Sequence, residues 1–257
     1  MMTTYDLTER VAVVTGGNGG IGLGIAEALA AAGADIVVWG RNEGKNDAAV
    51  ASLLAGPAAT RRVHAIRCDV ADEASVVAAM AESIDTMGKV DCLVANAGIG
   101  GFSPFTQMSL EEWRRVTSVN FDGAFLTLRE GAKHMVERGE GGSLIAISSV
   151  SAIHGAPMMQ HYAGSKAGLL AVMRGLAVEL ARHQIRCNSL LPGWTHTDML
   201  DPMTANEKFV ANTTSRTPMR RWGLPSDMGA AAVFLADPSL TFHTGDCIVV
   251  DGGYSIF

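Results

Sequence analysis

Four side chains in this sequence have the chemistry to move a proton together. Tyr162 and Lys166, in Tyr162-Ala163-Gly164-Ser165-Lys166, are four residues apart, so on a helix they share a face. A phenol beside a fixed ammonium ionises more easily and can exchange a proton with an alcohol near neutral pH. Ser149, thirteen residues before Tyr162, closes a candidate strand and could orient an oxygen on which charge develops. Asn120, in Val119-Asn120-Phe121-Asp122-Gly123, puts a poor helix former into a helical stretch. It suggests a local break that water can occupy, linking Lys166 to solvent. Tyr-x-x-x-Lys alone is a chance pattern on many surface helices, and its weight comes from the serine and from a second motif.

That second motif is Thr15-Gly16-Gly17-Asn18-Gly19-Gly20-Ile21-Gly22, a glycine-rich turn after the apolar run 11–14 and before an alanine-rich helical pattern. Glycines let backbone amides approach phosphate oxygens, and the start of the following helix favours negative charge. A strand, such a turn and a helix in this order are the context for a pyrophosphate site built from Gly16, Asn18, Gly20, Ile21 and Gly22. The end of the second strand normally selects the cofactor: an acid there bonds a ribose 2′-hydroxyl, an arginine a 2′-phosphate. Here the sequence reads Trp39-Gly40-Arg41-Asn42, which favours NADP(H) and leaves NAD(H) open. Asp69, followed by Val70, is placed either to bond the adenine amine or to cap a strand end. Asn96-Ala97-Gly98 has the small residues that let a chain pass beneath a ribose, and Asn96 serves equally as a turn residue. A dinucleotide beside a proton-transfer group implies hydride transfer to or from a carbonyl.

The positioning elements are legible as alternating runs. Short Val-, Ile- and Leu-rich segments at 11–14, 35–39, 63–67, 92–95, 144–148, 186–191 and 247–250 lack period-two alternation, as strands buried on both faces do. Helical patterns lie at 21–32, 43–54 (stopping before Gly56-Pro57), 73–87, 110–138 (more than one helix), 162–182 and 226–235. The expectation is an α/β fold with one Rossmann-type, doubly wound, parallel seven-stranded sheet and helices on both faces, spanning 1–257 as a single dinucleotide-binding and catalytic domain. The Thr-, Met- and Arg-rich stretch 194–224 falls between the sixth and seventh strands, where a lid or binding loop belongs.

Composition narrows the partners. The chain has 257 residues, 48% hydrophobic and 18% charged, with a net charge of −6 and no polybasic block, which argues against nucleic acid and anionic membrane. No apolar run reaches the ~18 residues of a membrane span. The first residues lack a basic segment followed by an apolar one, so a cytoplasmic location is expected. Cys68, Cys92, Cys187 and Cys247 show no CxxC pairing and read as reduced core residues. No His/Cys cluster has metal-ligand spacing, so no metal is expected.

Taken together, these residues resemble the short-chain dehydrogenases/reductases over almost the whole chain. The family's TGxxxGIG matches Thr15 to Gly22, its NAG matches Asn96 to Gly98, and its catalytic Asn, Ser, Tyr and Lys match Asn120, Ser149, Tyr162 and Lys166. Its Pro-Gly after the sixth strand matches Pro192-Gly193, and its C-terminal turn matches Asp251-Gly252-Gly253. The resemblance implies that the Thr195 backbone and the Thr197 hydroxyl hold a nicotinamide carboxamide. It also implies that Lys166 holds the nicotinamide ribose and that Tyr162 is the general acid/base for a ketone and a secondary alcohol. One departure bears on the cofactor: NADP-using members often carry a basic residue just before the second motif glycine, where this chain has Gly19. Phe102, His154, Met158, Met159, Trp194, Met199, Met203 and Phe209 are candidate walls of a largely apolar substrate pocket, with His154 and His161 either touching substrate or lying in loops. Related activities include 3-oxoacyl-carrier-protein reduction, for which Arg174, Arg182 and Arg186 are candidate docking cations, and sugar or alcohol oxidation. A non-catalytic dinucleotide sensor is the remaining alternative. Apolar helices at 110–138 and 160–182, with the C-terminal Tyr254-Ser255-Ile256-Phe257, suggest a homotetramer.

Overall fold

The computed structural model describes residues 5–56 and 58–257, with backbone only at 201–202. Residues 1–4, part of the segment 1–7 in which no leader is expected, and Pro57 lie outside the described residues.

Among the described residues, seven strands form one parallel sheet in the order β3-β2-β1-β4-β5-β6-β7. They are β1 Val11–Thr15, β2 Asp35–Gly40, β3 Val63–Arg67, β4 Cys92–Ala95, β5 Gly142–Ile147, β6 Ile185–Pro192 and β7 Cys247–Val250. The helices are α1 Gly20–Ala31, α2 Glu43–Ala55, α3 Glu73–Met87, α4 Leu110–Thr117, α5 Gly123–Arg138, α6 Ser151–His154, α7 Gln160–Leu180, α8 Asp201–Thr204, α9 Glu207–Arg216 and α10 Gly229–Ala236. Alternate strand residues serve opposite faces, as the pleat requires. Val11, Val13, Val37 and Trp39 pack with α3, α5 and α7, and Ala12, Val14, Ile36 and Val38 pack with α1 and α10. With both faces covered, the strands read as continuous apolar runs. The Trp39 indole N–H, buried in the first layer, donates to Ser83 Oγ at 3.0 Å.

Two local departures from simple periodicity matter for the site. The long helical pattern 110–138 is divided by a π-helical turn at Ser118–Asp122, the interruption that Asn120 signalled. The helix of the Tyr-Lys motif starts at Gln160 and ends in a 3₁₀ turn, Ala181–His183, because Gln184 takes a left-handed conformation with φ 59°. No helix among the described residues is long and apolar enough to cross a membrane.

The strand order reverses between β1 and β4, and Thr15 stitches that crevice. Its Oγ1 accepts from Asn96 N and Ala97 N, both at 2.9 Å, while Asn96 Nδ2 returns a bond to Thr15 O at 2.8 Å. Thr15→Val keeps the shape but leaves two backbone N–H groups without their acceptor. We expect a loss of ~2–4 kcal/mol, read by urea unfolding; an unchanged midpoint would mean the stitch contributes nothing.

Candidate active site

A cavity of about 880 Å³ opens at the carboxyl ends of the strands, where ligands bind in open α/β sheets. One end of the cavity is the glycine turn. Gly16 has φ +63°, and a Cβ on Gly22 would lie 2.3 Å from Gly16 O and 2.5 Å from Asn96 Nδ2. The turn is therefore closed to side chains on the side that faces the crevice. Helix α1 begins at Gly20, and its N-cap, Gly19, offers no side chain to the first-turn amides. These amides and the helix dipole fit an anionic diphosphate. Gly16, Asn18, Gly20 and Ile21 line the cavity, as do Asn96, Ala97 and Gly98 across the crevice. Gly22 lies behind this wall as packing against Gly16.

The edge of β2 explains why no acid stands there. A Cβ on Gly40 would sit 2.2 Å from Asn18 Nδ2 and 2.4 Å from Asn46 Oδ1. Asn18 Nδ2 donates to Asn46 Oδ1 at 2.7 Å, and buried Asn46 donates to Gly40 O at 3.0 Å. This amide pair occupies the place a carboxylate would need. Arg41 is exposed just beyond, with Nη1 3.8 Å from Asp69 Oδ2. Arg41, Asp69 and buried Val70 are outside the cavity wall, and Val70 packs against Gly123.

The other end gathers the residues expected to move a proton. Ser149, Tyr162 and Lys166 all line the cavity. Helix α7 is fixed to the end of β5 twice: Ser148 Oγ donates to Lys166 O at 2.8 Å, and Lys166 Nζ donates to Ile147 O at 2.7 Å. Lys166 is 4% exposed, and its Nζ lies 5.8 Å from the Tyr162 ring centre. Burial lowers its pKa to about 8. Burial also pushes the Tyr162 phenol up, partly offset by its hydrogen bond with Ser149. This differs from the expectation of a phenol held acidic by its neighbour: desolvation dominates at both groups, and the ammonium spends a proton on a strand carbonyl. Asn120 is fully buried behind the wall. Its Oδ1 accepts from Ile99 N at 2.8 Å and its Nδ2 donates to Ile99 O at 2.9 Å, so the side chain clamps the loop after β4. Asn120 Oδ1 and Lys166 Nζ flank Gly98, 3.3 and 3.5 Å from where its Cβ would be.

The stretch 194–224 leaves β6 after Pro192-Gly193 and returns to its own start. Gly223 N donates to Trp194 O at 2.8 Å and His196 N donates to Gly223 O at 2.9 Å. Between these stems, α8 and α9 carry Met203, Phe209 and Arg216 to the cavity. Pro192, Gly193, Thr195 and Thr197 line it too, and the Thr197 methyl lies 3.2 Å from the Cβ position of Gly20. All eight candidate pocket residues, from Phe102 to Phe209, are on its wall.

Three readings of single residues need correction. His161 is no loop residue. It is buried in α7, its Nδ1 accepts from Tyr162 N at 2.9 Å, and its Nε2 lies 3.3 Å from Glu112 Oε1. Arg186 is no docking cation. It is 7% exposed, and it donates to Leu235 O and Asp237 O at the opposite end of β6 from the cavity. Cys68, Cys92 and Cys187 are buried with thiols pushed up to about 11 or 12 by desolvation, but Cys247 is only half-buried, beside Arg174. Lys45 carries no signal in the sequence, yet its Nζ bonds Asp198 Oδ2 at 2.7 Å between α2 and the 194–224 segment. The Arg115–Glu112–His161 cluster does leave one, a Glu three residues before an Arg on one helix.

Comparison with known proteins agrees with this arrangement. The family model described as enoyl-(acyl carrier protein) reductase matches residues 16–255. L-rhamnose 1-dehydrogenase (NAD(P)(+)) of Sphingomonas sp. (strain SKA58) is 36% identical over 248 residues, covering 96% of each chain. A 3-oxoacyl-[acyl-carrier-protein] reductase of Chlamydia pneumoniae is 36% identical, covering 96% of this chain and 97% of its own. A gluconate 5-dehydrogenase of Burkholderia cenocepacia, solved in complex with NADP and tartrate, superposes with a TM-score of 0.92 at 34% identity, covering 98% of this chain and 97% of its own. The chain belongs to the short-chain dehydrogenase/reductase family, NAD(P)-dependent enzymes acting on CH–OH groups.

Glu112 provides a pH test of the cluster beside Tyr162. The Arg115 guanidinium, with help from His161, lowers its carboxyl from 4.5 to about 2. A depressed carboxyl stabilises the fold above its unfolded pKa, and that contribution is lost as pH falls through the folded value. Glu112→Gln should therefore be less stable than wild type at pH 7, with the gap closing between about pH 4.5 and pH 2. Denaturant unfolding across that range checks it; a constant gap would remove the cluster from the acid response.

Proposed function

We propose that this chain is an NADP(H)-preferring oxidoreductase that interconverts a ketone and a secondary alcohol, with Tyr162 as general acid/base. The observation that carries this is that the Ser149 and Tyr162 hydroxyl side chains share the cavity wall, with buried Lys166 beside the phenol ring. The glycine turn, Asn96-Ala97-Gly98, Pro192-Gly193, Thr195 and Thr197 would hold the dinucleotide, with Arg41 toward its 2′-phosphate and Asp69 and Val70 near its adenine. When bound, the nicotinamide supplies or accepts the hydride at the carbonyl carbon. Ser149 and Tyr162 hold the carbonyl oxygen from two sides. In reduction Tyr162 Oη gives its proton to that oxygen, and burial keeps the phenol protonated until then. Lys166, poised at about 8, can return a proton to the phenolate near neutral pH. Asn120 acts through Ile99 as a positioning residue. The segment 194–224 serves as the substrate-binding lid.

The substrate is an alcohol or ketone of moderate size, and the sugar and sugar-acid dehydrogenases among the relatives support a polyhydroxy compound. The carrier-protein reading is weaker, because buried Arg186 is withdrawn from any docking face. Exposed Phe125, Val178, Phe242, Ile256 and Phe257 support a homotetramer, and buried reduced cysteines are compatible with the cytoplasm.

Tyr162→Phe should lower turnover by about 10²–10⁴-fold while NADPH binding, followed by its fluorescence, survives. Because the phenol pKa is raised, alcohol oxidation should climb from pH 7 to pH 10 and ketone reduction should not. Retained turnover in Tyr162→Phe would end this mechanism. Arg41→Ala should raise KM for NADP+ by about 10-fold or more, as loss of a charge-assisted bond does, and leave KM for NAD+ nearly unchanged. Equal shifts for both would remove Arg41 as the 2′ reader.

A further inference from the structure

We infer that Arg216 reads a carboxylate on the substrate, so that the preferred substrates are hydroxy or oxo acids rather than neutral alcohols. This rests on the carbonyl–alcohol reading above and names the substrate class within it. The cavity wall carries the cations Lys45, Lys166 and Arg216 and the carboxylate Asp198. Asp198 is bonded to Lys45, and Lys166 is turned into β5 through Ile147 O. Among the described residues, Arg216 is left as the wall cation bonded to neither a carboxylate nor a backbone carbonyl.

Its position separates it from the cofactor. The glycine turn and Arg41 follow β1 and β2, toward one edge of the sheet. Arg216 ends α9, close to the turn after β7, the opposite edge. There its Cζ lies 4.4 Å from the centre of the Tyr254 ring, and Tyr254 packs edge-on against Trp194 at 6.3 Å. Trp194 in turn meets Phe209 at 5.2 Å and stacks on Trp222 at 5.6 Å. A guanidinium held over an aromatic ring has lost much of its freedom before a ligand arrives, and its edge still presents the planar fork that matches a carboxylate. Around it the wall is Trp194, Met203, Phe209 and Thr213, which bring no second charge to this end. A monocarboxylate matches one guanidinium in charge and in shape. Because the contact would be made to the carboxylate and not to the reacting carbon, it should act on binding more than on the chemical step.

The test compares D-gluconate with its neutral amide, D-gluconamide, and with a panel of other aldonates and aldoses, in wild type, Arg216→Gln and Arg216→Lys. Wild type should prefer acids. In Arg216→Gln the acid-to-amide ratio of kcat/KM should fall about 10–100-fold, the size of a lost hydrogen bond to a charged group, mostly through KM. Arg216→Lys should recover part of that ratio. A second readout needs no turnover: quenching of Trp194 and Trp222 fluorescence by gluconate with NADP+ present should weaken in Arg216→Gln. Equal use of acid and amide by wild type, or a ratio and quench that Arg216→Gln leaves untouched, overturns the assignment while the carbonyl–alcohol reading stands. Absence of turnover with every alcohol and ketone tried overturns that reading instead, and the fluorescence titration then decides whether Arg216 binds the carboxylate.

Discussion

Lys166 is anchored at both ends of its residue to the same strand end. Its carbonyl accepts from Ser148 Oγ and its ammonium donates to Ile147 O, 2.8 and 2.7 Å away. The two bonds join α7 to the last turn of β5 and set how far Tyr162 stands from Ser149. Burying an ammonium against a strand carbonyl is costly, and that burial lowers its pKa to about 8. The fold keeps the group because the same burial leaves a basic amine close to neutral pH under the phenol. Ser149 follows Ser148 directly, so one strand end provides the anchor and a cavity-lining hydroxyl together.

The glycine-turn half of the crevice is organised by amides instead of charges. Asn96 binds back to β1, Asn120 closes the loop at Ile99, and Asn18 meets Asn46 over Gly40. An amide carries both a donor and acceptors, so each can satisfy backbone groups of either kind in a dry place. The result is a rigid cradle whose fixed partial charges are supplied by main-chain N–H groups. The formal charges stay at its rim in Arg41, Asp69, Lys45 and Asp198.

Strands buried on two faces betray themselves by apolar runs, and the strand cores and their parallel arrangement were readable on that ground. The break at Asn120 was readable because a side chain that competes with the backbone is out of place in a helix. What could not be read were outcomes of long-range packing. The acidity of Tyr162 depends on how dry its surroundings are, which no i, i+4 spacing reveals. Arg186 looks like a surface cation until its guanidinium is seen to cap the carbonyls of Leu235 and Asp237. His161 looked like a loop residue because α7 starts two residues earlier than Tyr162 suggests. Gly40 announced only that an acid was missing, and the reason for it lay six residues on, in Asn46.

The main-chain bonds between Trp194, His196 and Gly223 make a neck through which the whole excursion after β6 passes. A loop tied at its neck can change its contents without pulling on the sheet. Evolution can therefore exchange the helices hanging from it, and a protein engineer can transplant them, to alter which molecule is accepted while the hydroxyl–amine apparatus below stays as it is.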